Sequence, residues 1–314
     1  MITSRLGGID LEKVAVIIPS YGGGELLERT VMSVLNQDYK NFEVIVVDDN
    51  GEDSENQLLT ENIIKKFLND PRFSYLMHKV NKNGSAARNT GVRSSDAKYL
   101  VFLDDDDVMN QGTLQSQVDI LNSLDESWGM VYCASKEYYK DRLYAEYKAK
   151  VSGEVLYTVL THKIHAATST WMVRRSAFEN LNGFDESFKR HQDYEFIARM
   201  AYKYKIAANP YFGIKKYWSS LTISSNVQEV RDYYLLKMDS IIKTFSKRKQ
   251  KKIILTNQLD ISMKLLKSRK FKEFFHRYKE LNGGVTGIFI LGGFFGTVIM
   301  RKIHLQLLSN NPNS

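Results

Sequence analysis

Two apolar segments of the chain run directly into aspartates. The run 104–107 consists of four consecutive aspartates after segment 98–103, and Asp48 and Asp49 end segment 43–49. Four adjacent carboxylates repel one another unless a cation or hydrogen-bond donors offset their charge. Hard oxygen ligands suit Mg²⁺ or Mn²⁺, and Mg²⁺ usually takes one or two carboxylates together with substrate phosphates. The aspartates therefore predict a divalent cation held next to a phosphate-containing ligand.

The segments before the aspartates belong to an alternating pattern of strands and helices. A short, β-branched apolar run predicts a strand buried on both faces at 14–19, and a second buried strand is predicted at 43–49. Two further strands are predicted at 73–77 and 98–103. Apolar residues at helical spacing predict a helix after each of the first two strands, and a short helix rich in small residues is predicted at 84–92. This alternation indicates βαβ units and an α/β fold with a mainly parallel sheet.

Polar residues at three strand ends predict one common site. Ser20 and Tyr21 follow the first strand, and aspartates follow the second and the fourth. Ligands of parallel sheets bind beyond the carboxyl ends of the strands. A single polar strand end is most simply a solvated turn, but three that converge indicate a ligand site. No Gly-x-x-x-x-Gly-Lys-Ser/Thr segment is present, which argues against a P-loop kinase or ATPase.

The composition is that of an ordinary globular protein. The chain has 314 residues, of which 43% are hydrophobic and 25% are charged, and this argues against general disorder. The single cysteine, Cys133, excludes an intrachain disulfide and a cysteine-based zinc cluster, and it predicts a buried thiol in a reduced, cytosolic chain. The first residues lack a basic segment followed by an apolar run, so we expect no secretory signal.

Positive charge is concentrated in the last part of the chain. Residues 231–314 contain 17 lysines and arginines against 5 aspartates and glutamates, so the formal charge of this region is +12. The whole chain has a net charge of +8, which leaves −4 for the residues before 231. The uncharged, glycine-diluted stretch 281–300 follows a basic, helix-patterned region. Apolar surface next to basic residues favours peripheral attachment to an anionic membrane surface over a true span. A nucleic-acid partner is not expected, because no recognisable reading motif is present.

Five motifs in order resemble the family 2 glycosyltransferases of the GT-A fold, over roughly residues 12–225. They are Val-Ile-Ile-Pro-Ser-Tyr at 16–21, Val-Val-Asp-Asp at 46–49, Asn-Gly-Ser-Ala-Ala-Arg-Asn-Thr-Gly at 83–91, Phe-Leu-Asp-Asp-Asp-Asp at 102–107, and Gly-Phe-Asp-Glu-Ser-Phe at 183–188 followed by His-Gln-Asp-Tyr-Glu-Phe-Ile-Ala-Arg at 191–199. The resemblance implies a Rossmann-like, mixed but mainly parallel sheet flanked by helices. It divides the chain into a transferase domain, 1–225, and a helical, basic region, 226–314.

The resemblance also implies a donor site for a nucleoside-diphosphate sugar, with UDP as the expected nucleotide. Pro19 and Tyr21 would line the nucleobase pocket, Asp49 would accept a hydrogen bond from the base or ribose, and Arg88 would approach the nucleotide. The DXD motif would be formed by Asp104 and Asp106. Asp106 and Asp104 would bind the metal ion, which is expected to be Mn²⁺ or Mg²⁺. Asp104 and Asp105 would also contact the nucleotide sugar.

Asp193 matches the general base of the family, which takes the proton of the attacking acceptor hydroxyl in an inverting displacement. Gln192 precedes it where glutamate is common, and near 217–224 the chain has no histidine where some relatives supply a metal ligand. The expected acceptor is a saccharide or lipid-linked glycan in surface polysaccharide assembly, at the cytoplasmic face of the cell membrane. The alternatives are a sugar-phosphate nucleotidyltransferase and a catalytically silent protein that binds nucleotide sugars.

Overall fold

A computed structural model describes residues 5–6, 9–22, 24, 26–218, 227–267 and 272. The chain divides into two compact units. One comprises Met1–Glu137, Glu146–Val155 and His165–Tyr217, and the other comprises Tyr138–Ala145, Leu156–Ile164 and Trp218–Ser314. The predicted domain boundary at 225 falls outside the described residues and stays a prediction.

Eleven strands lie within the described residues. They are β1 (Arg5–Leu6), β2 (Ile9–Asp10), β3 (Val14–Ser20), β4 (Phe42–Asp48), β5 (Phe73–Met77), β6 (Tyr99–Phe102), β7 (Val108–Met109), β8 (Trp128–Tyr139), β9 (Arg142–Tyr147), β10 (Trp171–Arg174) and β11 (Lys205–Trp218).

Ten α-helices lie within the same residues. They are α1 (Leu27–Leu35), α2 (Glu55–Ile64), α3 (Gly84–Arg93), α4 (Thr113–Asn122), α5 (Leu156–Leu160), α6 (Arg175–Asn180), α7 (Gln192–Lys203), α8 (Val227–Lys237), α9 (Asp239–Lys243) and α10 (Lys247–Lys267). Short 3₁₀ turns occur at Lys65–Phe67 and Thr168–Thr170.

The first unit is built on one mixed sheet. Its strand order is β5-β4-β3-β6-β10-β8-β11-β7. The four strands β5, β4, β3 and β6 are parallel neighbours, whereas β10 is antiparallel to both β6 and β8. The predicted α/β class with a mixed sheet flanked by helices is therefore confirmed, and four of the strands in this sheet run parallel to one another. Because the four parallel strands end at one edge, the polar residues that follow β3, β4 and β6 come together there.

The core explains why the predicted strands form. β3, β4 and β6 consist almost entirely of buried apolar residues, as expected for strands covered on both faces. α1 packs against β4 and β7, and α3 packs against β3 and β4. The hydrophobic cluster continues across the sheet through α4 and β8, where Cys133 is buried as predicted.

The approach of α3 to β3 requires a glycine. A Cβ atom at Gly91 would lie 2.5 Å from Cγ2 of Ile17, so a larger residue would push the helix away from the sheet. Asn83 caps the helix, since its side-chain oxygen accepts hydrogen bonds from the backbone N–H groups of Ser85 and Ala86. Its φ of 90° lies in the left-handed region, which asparagine tolerates better than most residues. These features fix α3, which carries Arg88.

The second unit is mostly helical where it is described. The helical pattern at 230–245 is divided between α8 and α9, and the basic run 247–252 forms the first part of α10. Asn257 of α10 is fully buried. It accepts a hydrogen bond from Arg231 of α8 and donates one to the carbonyl of Leu160 at the end of α5.

The expected membrane-associated stretch, 281–300, lies outside the described residues. Within the residues that are described, no helix has the length and hydrophobicity of a bilayer-spanning segment.

Candidate active site

A cleft of about 720 Å³ opens at the edge where β3, β4 and β6 end. Its remaining walls come from the loop before α3 and the loop before α7. Seven of the eight residues predicted for the site line this cleft: Pro19, Tyr21, Asp49, Arg88, Asp104, Asp105 and Asp106. The eighth, Asp193, follows the lining residue Gln192 in the first turn of α7. The fold thus brings together segments that are up to about 170 residues apart in the sequence.

Tyr21 is the most open residue of the predicted nucleotide-binding set. Its side chain is 68% exposed, while its backbone N–H donates a hydrogen bond to Oδ2 of Asp105 over 3.3 Å. A large exposed aromatic ring at the mouth of a cleft is suited to stacking against a flat base. The backbone link also ties the end of β3 to the aspartates after β6.

Asp49 is almost fully buried and builds the neighbouring loop. Its two carboxylate oxygens accept hydrogen bonds from the backbone N–H groups of Lys82 and Asn83, both at 2.8 Å, and from the side chain of Asn81. His78 Nδ1 lies 2.7 Å from Oδ1 of the same carboxylate. These partners occupy the acceptor positions of the carboxylate. Asp49 therefore shapes loop 81–83, and its direct hydrogen bond to a nucleotide stays a prediction.

The aspartates after β6 form a loop, 104–107, that several elements hold in place. The hydroxyl of Thr30 on α1 lies 2.9 Å from the carbonyl oxygen of Asp105 and 2.7 Å from that of Asp107. The hydroxyl of Ser169 accepts a hydrogen bond from the backbone N–H of Asp104 and donates one to the carboxylate of Asp107. The loop is thus fixed through both its backbone and its side chains. We call it the aspartate loop.

Positive charge reaches the aspartate loop from two directions. Arg88 donates from Nη2 to Oδ1 of Asp104 over 2.7 Å, and its side chain is only 7% exposed. Lys216 of β11 donates to the carboxylate of Asp107 and lies 3.4 Å from Oδ2 of Asp104. Burial acts to raise the pKa of Asp104, but the charges of Lys216 and Arg88 outweigh it and lower that pKa to about 2. Asp104 is therefore ionised and already paired with two cations.

The compensation of Asp106 is weaker, because the charge of Lys216 opposes the rise in its pKa but does not outweigh burial and Asp104. Its carboxylate lines the cleft and forms no salt bridge with any residue that the structure describes. Burial, followed by the charge of Asp104, raises the pKa of Asp106 to about 6, and burial likewise raises the pKa of Asp105 to about 6. The unmet negative charge of the loop therefore lies on the side that faces the cleft.

A divalent cation fits this arrangement if the substrate supplies most of its ligands. Among the described residues, no group of three or more His, Cys, Asp or Glu side chains is arranged to hold a metal ion. One carboxylate combined with phosphate oxygens and water is, however, the usual environment of Mg²⁺. Asp105 and Asp106 both lack a salt bridge to a described residue, but the carboxylate of Asp105 accepts a hydrogen bond from the backbone N–H of Tyr21. Asp106 therefore fits this role better.

Asp193 lies close enough to Arg88 and Asp104 to interact with their charges. Burial raises the pKa of Asp193 above the usual value for a carboxyl group, and the backbone N–H of Tyr194 and the charge of Arg88 oppose that rise. The first turn of a helix also favours a negative charge. The carboxylate is thus mounted on a rigid element at the edge of the cleft and has the raised pKa that suits a general base.

Sequence reasoning missed two contributors to the site. Lys216 and Ser169 both contact the aspartate loop, although they lie more than 60 residues from it in the sequence. Lys216 occupies the late strand on which no histidine was found. The one available signal was the excess of carboxylate in 104–107, which requires a cation but does not say which residue supplies it.

The chain belongs to glycosyl transferase family 2, whose model matches residues 15–181. An uncharacterized glycosyltransferase of Rickettsia prowazekii is 28% identical to it over 93% of this chain and 90% of the relative. The poly(ribitol-phosphate) β-N-acetylglucosaminyltransferase TarP of Staphylococcus aureus is 42% identical over 33% of this chain and 32% of the relative. The protein is therefore a glycosyltransferase, and the nucleotidyltransferase and catalytically silent alternatives are set aside.

A solved structure supports the fold. The crystal structure of S. aureus TarS 1–349 in complex with UDP-GlcNAc aligns with a TM-score of 0.61 at 17% identity, covering 85% of this chain and 72% of that one. The predicted GT-A fold is confirmed by this likeness together with the family match.

Proposed function

We propose that the protein transfers a sugar from a UDP-sugar to a hydroxyl group of a saccharide or lipid-linked acceptor, with inversion at the anomeric carbon, during surface polysaccharide assembly. The observation that carries the proposal is the convergence of Arg88 and aspartates 104–106 on one cleft, with Asp193 close enough to interact with the charges of Arg88 and Asp104. The similarity to TarP, which is named for transfer to poly(ribitol-phosphate), and to TarS, which was crystallised with UDP-GlcNAc, supports the donor and acceptor classes.

The residues of the cleft have separable tasks in this reaction. Tyr21 stacks on the base, and loop 81–83, held by Asp49, forms the wall beside it. Asp106 would hold Mn²⁺ or Mg²⁺, which offsets the charge of the departing diphosphate. Asp193 accepts the proton of the acceptor hydroxyl as that oxygen attacks the sugar. Arg88 lies between the two halves of the site, because its charge acts on both Asp104 and Asp193.

The place of action follows from the charge distribution. We propose a cytoplasmic enzyme held peripherally at the inner face of the cell membrane by its basic C-terminal region. Support comes from the 17 basic residues between 231 and 314, which would be attracted to anionic lipids.

Two substitutions separate the metal ligand from the base. Asp106→Ala should abolish Mn²⁺-dependent binding of UDP, and with it transfer. Asp193→Asn keeps nearly the same shape but accepts no proton, so transfer should fall by ~10²–10⁴-fold while UDP binding stays close to wild type. UDP binding is measured by calorimetry with Mn²⁺ or with excess chelator, and transfer is followed by nucleotide release.

The matched control for Asp193 is Glu195→Gln in the same helix. Glu195 is a buried carboxylate two residues away, and it is engaged by Arg199. Its loss should lower stability without abolishing transfer. If excess chelator leaves UDP binding unchanged in wild type and in Asp106→Ala alike, the metal-dependent part of the proposal is wrong. If Asp193→Asn retains transfer, the base is a different residue.

A further inference from the structure

Lys216 is a buried cation inside the aspartate loop. Its side chain is 11% exposed, and its ammonium group contacts Asp107 and lies 3.4 Å from Asp104 and 3.5 Å from the hydroxyl of Ser169. Its neighbour Lys215 points to the other face of the strand, as successive residues of a strand do. A charged amine so deep in the structure is stable only if anions surround it. The structure thus builds a positive charge into the acidic loop itself.

We propose that Lys216 is a positioning residue, a fixed internal cation that pairs Asp104 and Asp107 and leaves Asp106 alone to receive a divalent metal ion, so that the ion binds together with the donor diphosphate and not before it. The inference rests on the proposed function for the identity of the donor. It goes beyond that function by assigning a role to Lys216 and an order to binding.

The argument starts from the competition for Asp104. A divalent ion held jointly by Asp104 and Asp106 would have to displace or approach two positive groups, since Asp104 is hydrogen-bonded to Arg88 and close to Lys216. Both groups would repel the ion. Asp107 is less available still, because its residue is only 1% exposed and its carboxylate is engaged by Ser169 and Lys216.

Asp105 has no cation either, but its carboxylate accepts a hydrogen bond from the backbone N–H of Tyr21. Asp106 is then the one carboxylate of the loop left for the metal ion without a side-chain or backbone partner among the other described residues. A single protein carboxylate is a weak ligand set for Mg²⁺ or Mn²⁺, whereas a diphosphate adds two or more hard oxygen ligands and negative charge. The metal affinity of the free protein should therefore be low, and it should rise when UDP is bound. Lys216 causes this dependence because it neutralises Asp104 and Asp107, the two carboxylates that could otherwise bind the metal ion together with Asp106 in the free protein.

The test measures Mn²⁺ binding to the full chain by electron paramagnetic resonance, with and without UDP. We expect wild type to bind Mn²⁺ at least tenfold more tightly with saturating UDP than without it. Lys216→Met should bind Mn²⁺ without UDP at least tenfold more tightly than wild type, because Asp107 loses its cation and Asp104 keeps only Arg88. Lys216→Arg retains the charge and should behave like wild type. Lys215→Met is the matched control from the opposite face of β11, and it should also behave like wild type.

A charge-balanced variant guards against a folding defect. If Lys216→Met does not fold, the double variant Lys216→Met/Asp107→Asn removes one charge of each sign, and it should bind Mn²⁺ without UDP more tightly than Asp107→Asn alone. Equal or weaker Mn²⁺ binding after loss of Lys216, in either background, overturns the inference, and so does tight binding by wild type without UDP. Failure of the proposed function has a different signature, namely no UDP binding by wild type at any Mn²⁺ concentration.

Discussion

Replacement of Arg88 by methionine tests the link between the aspartate loop and the predicted base. The substitution removes the guanidinium group and keeps most of the apolar length of the side chain. Removal of one partner from a fully buried ion pair costs ~3–5 kcal/mol. The side chain of Asp104 is 32% exposed and keeps its contact with Lys216, so we expect a smaller loss, of about 1–2 kcal/mol in the free energy of unfolding. A loss of that size lowers the melting temperature by roughly 2–6 °C.

The kinetic effect of Arg88→Met has a definite sign. Burial raises the pKa of Asp193, and the charge of Arg88 opposes that rise. A general base is active only when ionised, so transfer declines as the pH falls through its pKa. Without Arg88 the pKa of Asp193 rises further, and the acid limb of the kcat profile moves to higher pH. A shift of about one pH unit corresponds to ~1.4 kcal/mol of interaction between the two groups.

Nucleotide release at saturating donor, followed from weakly acidic to weakly alkaline pH, gives the acid limb, and thermal unfolding gives the stability. Arg93→Met is the matched control, because Arg93 lies on the same helix with a side chain that is 65% exposed. It should leave both quantities unchanged. An Arg88→Met protein that is less stable but has an unshifted acid limb would show that Arg88 supports the loop without acting on Asp193. An unchanged melting temperature together with an unshifted limb would refute the whole argument.

Two further predictions concern the carboxyl group of Asp106 and the basic C-terminal region. Burial and then Asp104 raise the pKa of Asp106 to about 6, above the ~4 of an unfolded chain, so the folded protein holds the extra proton and its stability falls as the pH rises through about 6. Asp106→Asn should therefore unfold at a higher temperature than wild type at about pH 8 and at a similar temperature at about pH 4 or below, because the stability is lost between the unfolded and the folded pKa, and an equal difference at both pH values would contradict this. Deletion of residues 283–314 should move the protein from the membrane fraction to the soluble fraction with UDP binding intact, and high salt should release part of the full-length protein. Full-length protein that stays soluble in lysates containing membranes would contradict the proposed attachment.

The strands of the parallel half of the sheet could be predicted because their signal is local. The β-branched runs at 14–19 and 43–49 correspond to Val14–Ser20 and Phe42–Asp48, and the helix between them begins at Leu27 as its apolar spacing indicates. Such runs are buried on both faces, so composition alone identifies them. The antiparallel strand β10 between β6 and β8 could not be predicted in the same way, because its pairing depends on residues distant in sequence.

The division of the chain into two compact units could not be predicted from the sequence either. Tyr138–Ala145 and Leu156–Ile164 belong to the second unit, although the sequence surrounding them belongs to the first. Neither segment differs in composition from its neighbours in a way that marks it. A contiguous boundary is the natural expectation from one sequence, and only tertiary contacts reveal a unit assembled from three segments.

The site was predicted where a residue type carries its own chemistry. Strand-end aspartates and a tyrosine at the cleft mouth are informative because the fold class states where strand ends meet. Lys216 carried no such signal, since a lysine on a late strand beside another lysine looks like a solvated residue. Its role depends on the contact with Asp107, which lies 109 residues earlier.

Two pairs of strand-end residues show how the protein distinguishes structural from functional carboxylates. Asp48 is fully buried, and its oxygens accept hydrogen bonds from Asn50 and from the hydroxyl of Tyr75, so its charge is met within the fold. The carboxylate of Asp49 likewise accepts hydrogen bonds from the backbone N–H groups of loop 81–83. In the aspartate loop, Asp104 forms salt bridges with Arg88 and Lys216, whereas Asp106 forms none with a residue that the structure describes. An unmatched carboxylate costs stability in the free protein, and that cost is recovered only when a cation arrives. The location of this negative charge, on the cleft side of the loop, supports the proposal that the metal ion and the diphosphate of the donor bind there.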